Sequence, residues 1–193
     1  MAKLEWRDGL VEKDISLDIC HRLIEPGCIV LVTAGCDGRT NVMTGSWVVP
    51  ISHHPPLVGV SINHAHFTHD VVDAAGEYVL HVPGPAMIPE VNICGTLSGR
   101  DVDKFEAAGL RTSRATSVGC PLIEGCLGWL ECKVVERFRL GDHTLFVGEV
   151  MSASAENKAF DGRWLLSEGE LCPIHYLGGI TCATLRGQSL TLR

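Results

Sequence analysis

Thr44, Ser46, Ser61 and Thr68 bring hydroxyl groups to a stretch, Thr40 to His69, that runs thirty residues without an Asp, Glu, Lys or Arg. Small hydroxyl donors on uncharged backbone suit a flat, hydrogen-bond-rich ligand whose phosphate sits on the N–H groups of a helix start. The same residues also suit a buried strand pair with ordinary turns, and their spacing leaves both readings open. The stretch is not a membrane helix. Crossing needs roughly 20 continuous apolar residues, whereas Pro50, Pro55 and Pro56 cut this one and Asn41, Asn63 and histidines dot it. It reads as two strands, Asn41 to Trp47 and Leu57 to Asn63, joined by a proline-held loop and followed by a helix from Phe67.

Other chemistries lack their signatures. No G-x-G-x-x-G follows a predicted strand and no P-loop is present, so neither common nucleotide fold is signalled. Thr44-Gly45-Ser46-Trp47 is not a G-x-S-x-G elbow and has no neighbouring acid to build a hydrolase triad. The nine cysteines contain no C-x-x-C pair and the nine histidines no H-E-x-x-H, so no metal is expected. An odd cysteine count without a signal segment argues against a disulfide framework. Even spacing from Cys126 to Cys132 predicts one strand face shared with Leu130, Val134 and Phe138. Glu131, Lys133, Arg137 and Arg139 fall on the opposite, solvent-facing side.

These residues must be held by a fold, and composition bounds it. At 193 residues, 46% hydrophobic and 20% charged, the chain reads as one globular domain with a proper core. A formal net charge of −7 argues against nucleic acid as partner. Any phosphate must then be gripped locally, by backbone N–H groups and one or two basic side chains. The opening MAKLEWRDGLVEKD is polar and of mixed charge, without an apolar signal core, so cytoplasm is the expected location.

A strand from Cys28 to Ala34 leads through an Asp37-Gly38 turn into the Asn41 strand. The helix from Phe67 to Ala75 stops at Gly76, and Tyr78 to Val82 is a further strand. Pro85 to Leu97 predicts a short helix with Val91, Cys94 and Leu97 inward. Ser98 caps a helix over Val102 to Ala108 that ends at Gly109. A long hairpin follows, Leu127 to Leu140 and His143 to Ala153 around Gly141-Asp142, and Pro173 to Gly179 closes with a short strand. Many strands and few short helices predict a mainly β protein, an antiparallel barrel with helical additions.

NVMTGSW, PPLVGVSIN, FTHDVV, SGRDVDKF and GDHTLFVGEV occur in an order and spacing that resembles the flavin reductase-like, FMN-binding split-barrel family, which includes flavoredoxins. The resemblance covers roughly Pro26 to Gly179. It implies an antiparallel Greek-key split β-barrel with short flanking helices, over residues 1–193 as one FMN-binding domain, with an N-terminal arm (1–24) and a C-terminal tail (180–193). It implies noncovalent FMN, NADH or NADPH as electron donor, a homodimer with the flavin near the interface, and a redox partner protein. Asn41, Thr44, Gly45, Ser46 and Trp47 would flank the isoalloxazine, and Ser61, Asn63 and Thr68 would hold ribityl and phosphate. Ser98, Arg100 and Lys104 are the next cofactor candidates. Family members often carry an Arg where this chain has His66, so phosphate affinity here is expected to lean on Lys104 or the helix N-terminus. His143 is the catalytic candidate, near the flavin's reactive face where nicotinamide stacks for hydride to reach N5. His175 and Tyr176 would complete a neighbouring subunit's pocket, while His53, His54, His64 and His69 receive no role. The implied activity is NAD(P)H-dependent flavin reduction. A flavoredoxin-type electron carrier and a flavin-binding module without turnover need the same pocket.

Overall fold

The computed structural model describes residues 15–24, 27–36, 38–166 and 171–185. After an exposed 3-10 helix, Leu17–Leu23, strand β1 (Val30–Cys36) turns back through Gly38, at φ 76, into β2 (Arg39–Gly45). Asp37, the other predicted turn residue, lies outside the described residues. Val30 pairs with Gly45 and Cys36 with Arg39, so the hairpin register is unbroken.

β2 stops at Gly45, not at Trp47 as the sequence predicts, and β3 (Val48–Ser52) begins three positions later. The predicted proline loop is thus partly strand. Pro50 is tolerated because β3 is an edge that pairs only with β4 (Leu57–Asn63). The turn between them contains a cis His54–Pro55 bond. Helix α1 (Phe67–Ala75) has the predicted bounds and ends on left-handed Gly76, whose N–H donates to the Val72 carbonyl. Next come β5 (Glu77–Val82), α2 (Ile88–Thr96), α3 (Lys104–Ala107), β6 (Thr112–Arg114) and β7 (Pro121–Ile123). The long hairpin of β8 (Gly128–Leu140) and β9 (His143–Ala155) precedes a small one, β10 (Ile174–Gly178) with β11 (Thr181–Thr184).

Seven strands form one antiparallel sheet in the order β2-β1-β5-β8-β9-β4-β3. This order puts β2 and β3 on opposite edges, yet only Ser46 and Trp47 link them. Three Cα steps span at most ~11 Å, so the sheet must curl until its edges approach. Among the described residues the two edges share no ladder, and the barrel stays split along that seam. Val32, Val60, Ile62, Val72, Tyr78 and Phe146 fill the interior. A second cluster packs α2 and β10 against the other face of the β1–β2 hairpin, through Leu31, Val42, Val91, Cys94 and Ile174. Both faces of β1 are therefore buried.

Four local expectations need correction. Leu97 is 42% exposed, because α2 ends at Thr96 and Leu97 is already extended. Ser98 caps no helix. Residues 98–102 form a turn in which its hydroxyl accepts from the Arg100 N–H, and Asp103 caps α3 by accepting from Phe105 and Glu106. Glu131 is buried, because a bulge beside Cys132 breaks the two-residue period. Its carboxylate accepts from the Thr116 N–H and hydroxyl and from the Ser117 N–H, which pins the loop before β7. Cys126 precedes the strand and packs in a different cluster from Cys132.

His81 is fully buried between strands. Its Nδ1–H donates to the Leu31 carbonyl at 3.1 Å and its Nε2 accepts from the Ile123 N–H at 3.0 Å, an arrangement only the neutral ring satisfies. Burial pushes its pKa down to about 4, against ~6.5 for an unfolded histidine. The unfolded chain therefore takes up this proton first. The stability it contributes is whole above ~6.5 and is lost as pH falls towards the folded value, by up to ~3 kcal/mol. The urea midpoint should drop between pH 7 and 4.5, and His81→Gln should flatten part of that slope. An equal slope in both proteins would contradict the assignment.

Candidate functional site at the seam

Two cavities open beside the seam and share Thr44, Gly95 and Thr96. The smaller, about 230 Å³, is polar and is walled by Asn41, His66, Thr68, Ser98 and Lys104. The larger, about 400 Å³, lies between the end of β2 at Thr44 to Ser46, the α2 residue Val91, and Tyr176 with Ile180 of the last hairpin.

Each polar residue of the smaller cavity is placed by a different element. Asn41, on β2 and 2% exposed, donates from Nδ2 to the Thr68 hydroxyl oxygen at 2.8 Å. Thr68 thus accepts from Asn41 and keeps its own proton to donate elsewhere. Gly99 lies so close to Asn41 Oδ1 that a Cβ there would overlap it, which fixes the 98–102 turn over β2. Lys104, the first residue of α3, is 6% exposed and donates to the Cys94 carbonyl at 2.7 Å. Among the described residues no carboxylate lies within ion-pairing distance of it. Burial pulls its pKa down. A buried ammonium without a counter-ion is costly, and the cavity it faces is where an anion would compensate it. His66 stands at the N-cap of α1 without a side-chain capping bond. Its pKa is lowered by partial burial and then by the neighbouring side chains of His143, Lys104 and Arg100.

Other sequence candidates sit close by with structural tasks. Thr44 donates to the Val91 carbonyl at 2.6 Å and ties β2 to α2. Arg100 does not wall the cavity. It donates to the Ala65 carbonyl at 2.9 Å and to Asp70 at 2.7 Å, and lies 5.4 Å from the Phe67 ring centroid, clamping the turn onto α1. Ser61 walls neither cavity, and its N–H donates to the Trp47 carbonyl at 2.9 Å. Asn63 also stays outside both. Its side chain accepts from the Ala65 N–H and donates to Asp142 Oδ2 at 3.1 Å.

Asn63 belongs to a second constellation. Asp142 Oδ1 lies 2.7 Å from His143 Nδ1, so that nitrogen carries the proton and donates it. This bond holds the Asp142 carboxyl below its usual range. The His143 ring stacks on Trp47 at 4.7 Å and 27°, and His21 meets the indole edge-on at 5.5 Å. Asn63, Asp142, His143 and Trp47 form a chain of contacts from the β9 turn to the seam. His64 and His69, given no role from sequence, both reach the Thr144 hydroxyl, at 3.1 and 2.9 Å. Their separation by five residues has no motif, and only the α1–β9 packing brings them together. Tyr176 walls the larger cavity and donates to the Gly179 carbonyl at 3.1 Å. His175 pairs by backbone with Cys28.

With fold and site in view, comparison with known proteins places the chain. The sequence profile of the flavin reductase like domain matches residues 23–175. The chain belongs to that family. It is 40% identical over 133 residues to an uncharacterized protein of Archaeoglobus fulgidus, covering 69% of this chain and 75% of the other. Among solved structures it is similar to the FMN-binding domain of a flavin reductases-like enzyme from Shewanella baltica. There the TM-score is 0.78 at 26% identity, over 93% of this chain and 96% of that one. The flavoredoxin of Methanosarcina acetivorans shares the fold, with TM-score 0.82 at 24% identity over 94% and 95%. No described helix is long and apolar enough to cross a membrane.

Gly99→Ala should cost about 1–3 kcal/mol by overpacking against Asn41. Removing the obstacle in the Asn41→Ala/Gly99→Ala double variant should make the combined loss smaller than the sum of the single losses. Urea denaturation of the four proteins measures this, and additive losses would show that the close approach does not matter.

Proposed function

We propose that this chain binds FMN noncovalently and reduces it with NADH or NADPH. The observation that carries the reading is Lys104, buried beside the Thr68 hydroxyl and the N-terminus of α1 with no carboxylate among the described residues in ion-pairing distance. That donor set fits a phosphate: one cation, one hydroxyl proton and the first N–H groups of a helix. The isoalloxazine would lie along Gly45, Ser46 and Trp47, where small polar groups at the interrupted strand would stabilise charge on the ring. FMN, when bound, supplies the two-electron acceptor.

Within this reading His143 positions nicotinamide and is not a general base. Its Nδ1–H is committed to Asp142, itself held by Asn63, so the ring orientation is fixed from behind. Alignment is the main demand of the step, and a misplacement of about 1 Å costs ~100-fold. FMN added to the protein should lose fluorescence, and NADH or NADPH should bleach the bound flavin in anaerobic stopped flow. His143→Ala should keep FMN affinity while slowing that bleaching ~10-fold or more, about 1.4 kcal/mol. Unquenched FMN fluorescence would sink the cofactor assignment. Bleaching by neither nicotinamide would leave the electron-carrier role instead.

The reading includes a homodimer. Val49, Ile51, Phe138 and Leu140 are 43–63% exposed on the outer sheet face that also carries His143. Ile51, Leu145 and Val49 close over Gly59 there, leaving no room for a side chain. An apolar sheet face of this kind marks a protein contact. Light scattering at micromolar concentration should give twice the 20.9 kDa chain mass, and a monomer would remove this element.

A further inference from the structure

We propose that His66 is the residue by which this chain reads a phosphate, and that it does so by taking up a proton as the phosphate enters. The inference rests on the FMN reading and adds to it a recognition device that the Lys104 cavity alone lacks.

His66 walls the polar cavity with Lys104 and Thr68, and its ring is not used to cap α1. Partial burial and then the groups that face it set its charge. Lys104 of α3, Arg100 of the 98–102 turn and His143 of β9 all disfavour a proton on the ring. The carboxylate on its own helix, Asp70, is spent on Arg100 at 2.7 Å, and Asp142 is spent on His143. Without an anion His66 is therefore neutral, and the cavity wall holds one buried cation. A phosphate carries about −1.5 to −2 charges near pH 7. In the cavity it would place opposite charge next to the imidazole and reverse the balance, so that the protonated ring becomes the favoured form.

Linkage fixes the sign. If phosphate raises the proton affinity of His66, protons raise the affinity for phosphate by the same factor. Binding strengthens as pH falls from above 8 towards 6.5. Nearer 6 the phosphate itself gains a proton and the trend levels off. An arginine at this position would bind without such a slope, because it stays charged throughout. A histidine at this position thus makes phosphate recognition conditional on pH, while recognition of the ring system is not.

Titration of FMN and of riboflavin, which lacks the phosphate, from pH 6.5 to 8.5 at constant ionic strength tests this by fluorescence quenching. FMN affinity should fall about tenfold across the range, and riboflavin affinity should stay nearly constant. Calorimetry at pH 7.5 in two buffers of different ionisation enthalpy should show proton uptake with FMN only. His66→Gln should weaken FMN binding at pH 6.5 and abolish both slope and uptake, whereas His66→Arg should bind FMN tightly at every pH. Equal melting temperatures would show that the exposed site tolerates both changes, and His66→Arg carries the test if His66→Gln folds poorly. A flat wild-type profile, or a slope that survives in His66→Gln, overturns the proposal while leaving FMN binding intact. FMN and riboflavin bound equally at every pH would remove the phosphate cavity, and failure of either flavin to bind would remove the cofactor reading as well.

Discussion

Everything near the candidate site depends on a short covalent constraint: two residues, Ser46 and Trp47, join strands that the hydrogen-bond ladders place at opposite edges of a seven-stranded sheet. A flat sheet would set those edges tens of ångströms apart, since neighbouring strands lie about 4.8 Å from one another. Right-handed twist supplies part of the curl. At Gly59 and Gly148 neighbouring side chains pack onto bare backbone, Ile51, Leu145 and Val49 on the outer face and Tyr78 and Cys132 at the second position, so a Cβ would meet them at either place. At Gly148 the obstacle is Tyr78, whose hydroxyl donates to the Val58 carbonyl at 3.2 Å. The curl has a consequence for the seam. Backbone at Ser46 and Trp47 leaves the two flanking ladders there, and the Trp47 carbonyl accepts from the Ser61 N–H across the turn of the wall.

Basic side chains gather at that place against the trend of the whole molecule. A chain of net charge −7 gathers Lys104, Arg100, His66 and His143 around one end of α1. Arg100 is neutralised by Asp70, and it serves to hold the turn that carries Ser98 and Gly99. Lys104 is the cation left in the wall, and burying it costs folding energy that its bond to the Cys94 carbonyl only partly offsets. Such a residue is better explained by what it meets in the cavity than by what it does for the fold.

How much of this could be read from the chain depended on whether the signal was local. α1 was legible to the residue, because apolar spacing and a terminal glycine both act within a few positions. The long hairpin was legible for the same reason, through Gly141-Asp142. β3 was hidden by Pro50, which reads as a loop residue unless the strand is known to be an edge. Glu131 was misplaced because a bulge, set by pairing with β9, shifts the period in mid-strand. Of the site candidates, Asn41, Thr44, Gly45, Ser46, Thr68, Ser98 and Lys104 do wall the paired cavities. Ser61 and Asn63, which the resemblance implies, lie outside both cavities, and Asn63 is engaged by Asp142. The His64–Thr144–His69 contact had no sequence signal at all, since it joins positions about 80 residues apart.

The cysteines show why residue type without geometry says little about chemistry. Cys94, Cys120, Cys126 and Cys132 are all buried, and burial pushes their thiols up, to about 11 for Cys94 and about 12 for the other three. A thiol that high is not a thiolate at neutral pH and is neither nucleophile nor ready metal ligand. Cys126 spends its hydrogen on the Met87 sulfur, and Cys132 on the Leu130 carbonyl. They pack as small hydrophobes. Cys94 is the instructive case, because it walls the polar cavity and still contributes through its backbone carbonyl, which holds Lys104. The groups at this cavity suited to chemistry are therefore those whose charge can change or whose donor is unspent, His66, Lys104 and Thr68. All three are brought together by the start of α1 and the turn folded over it.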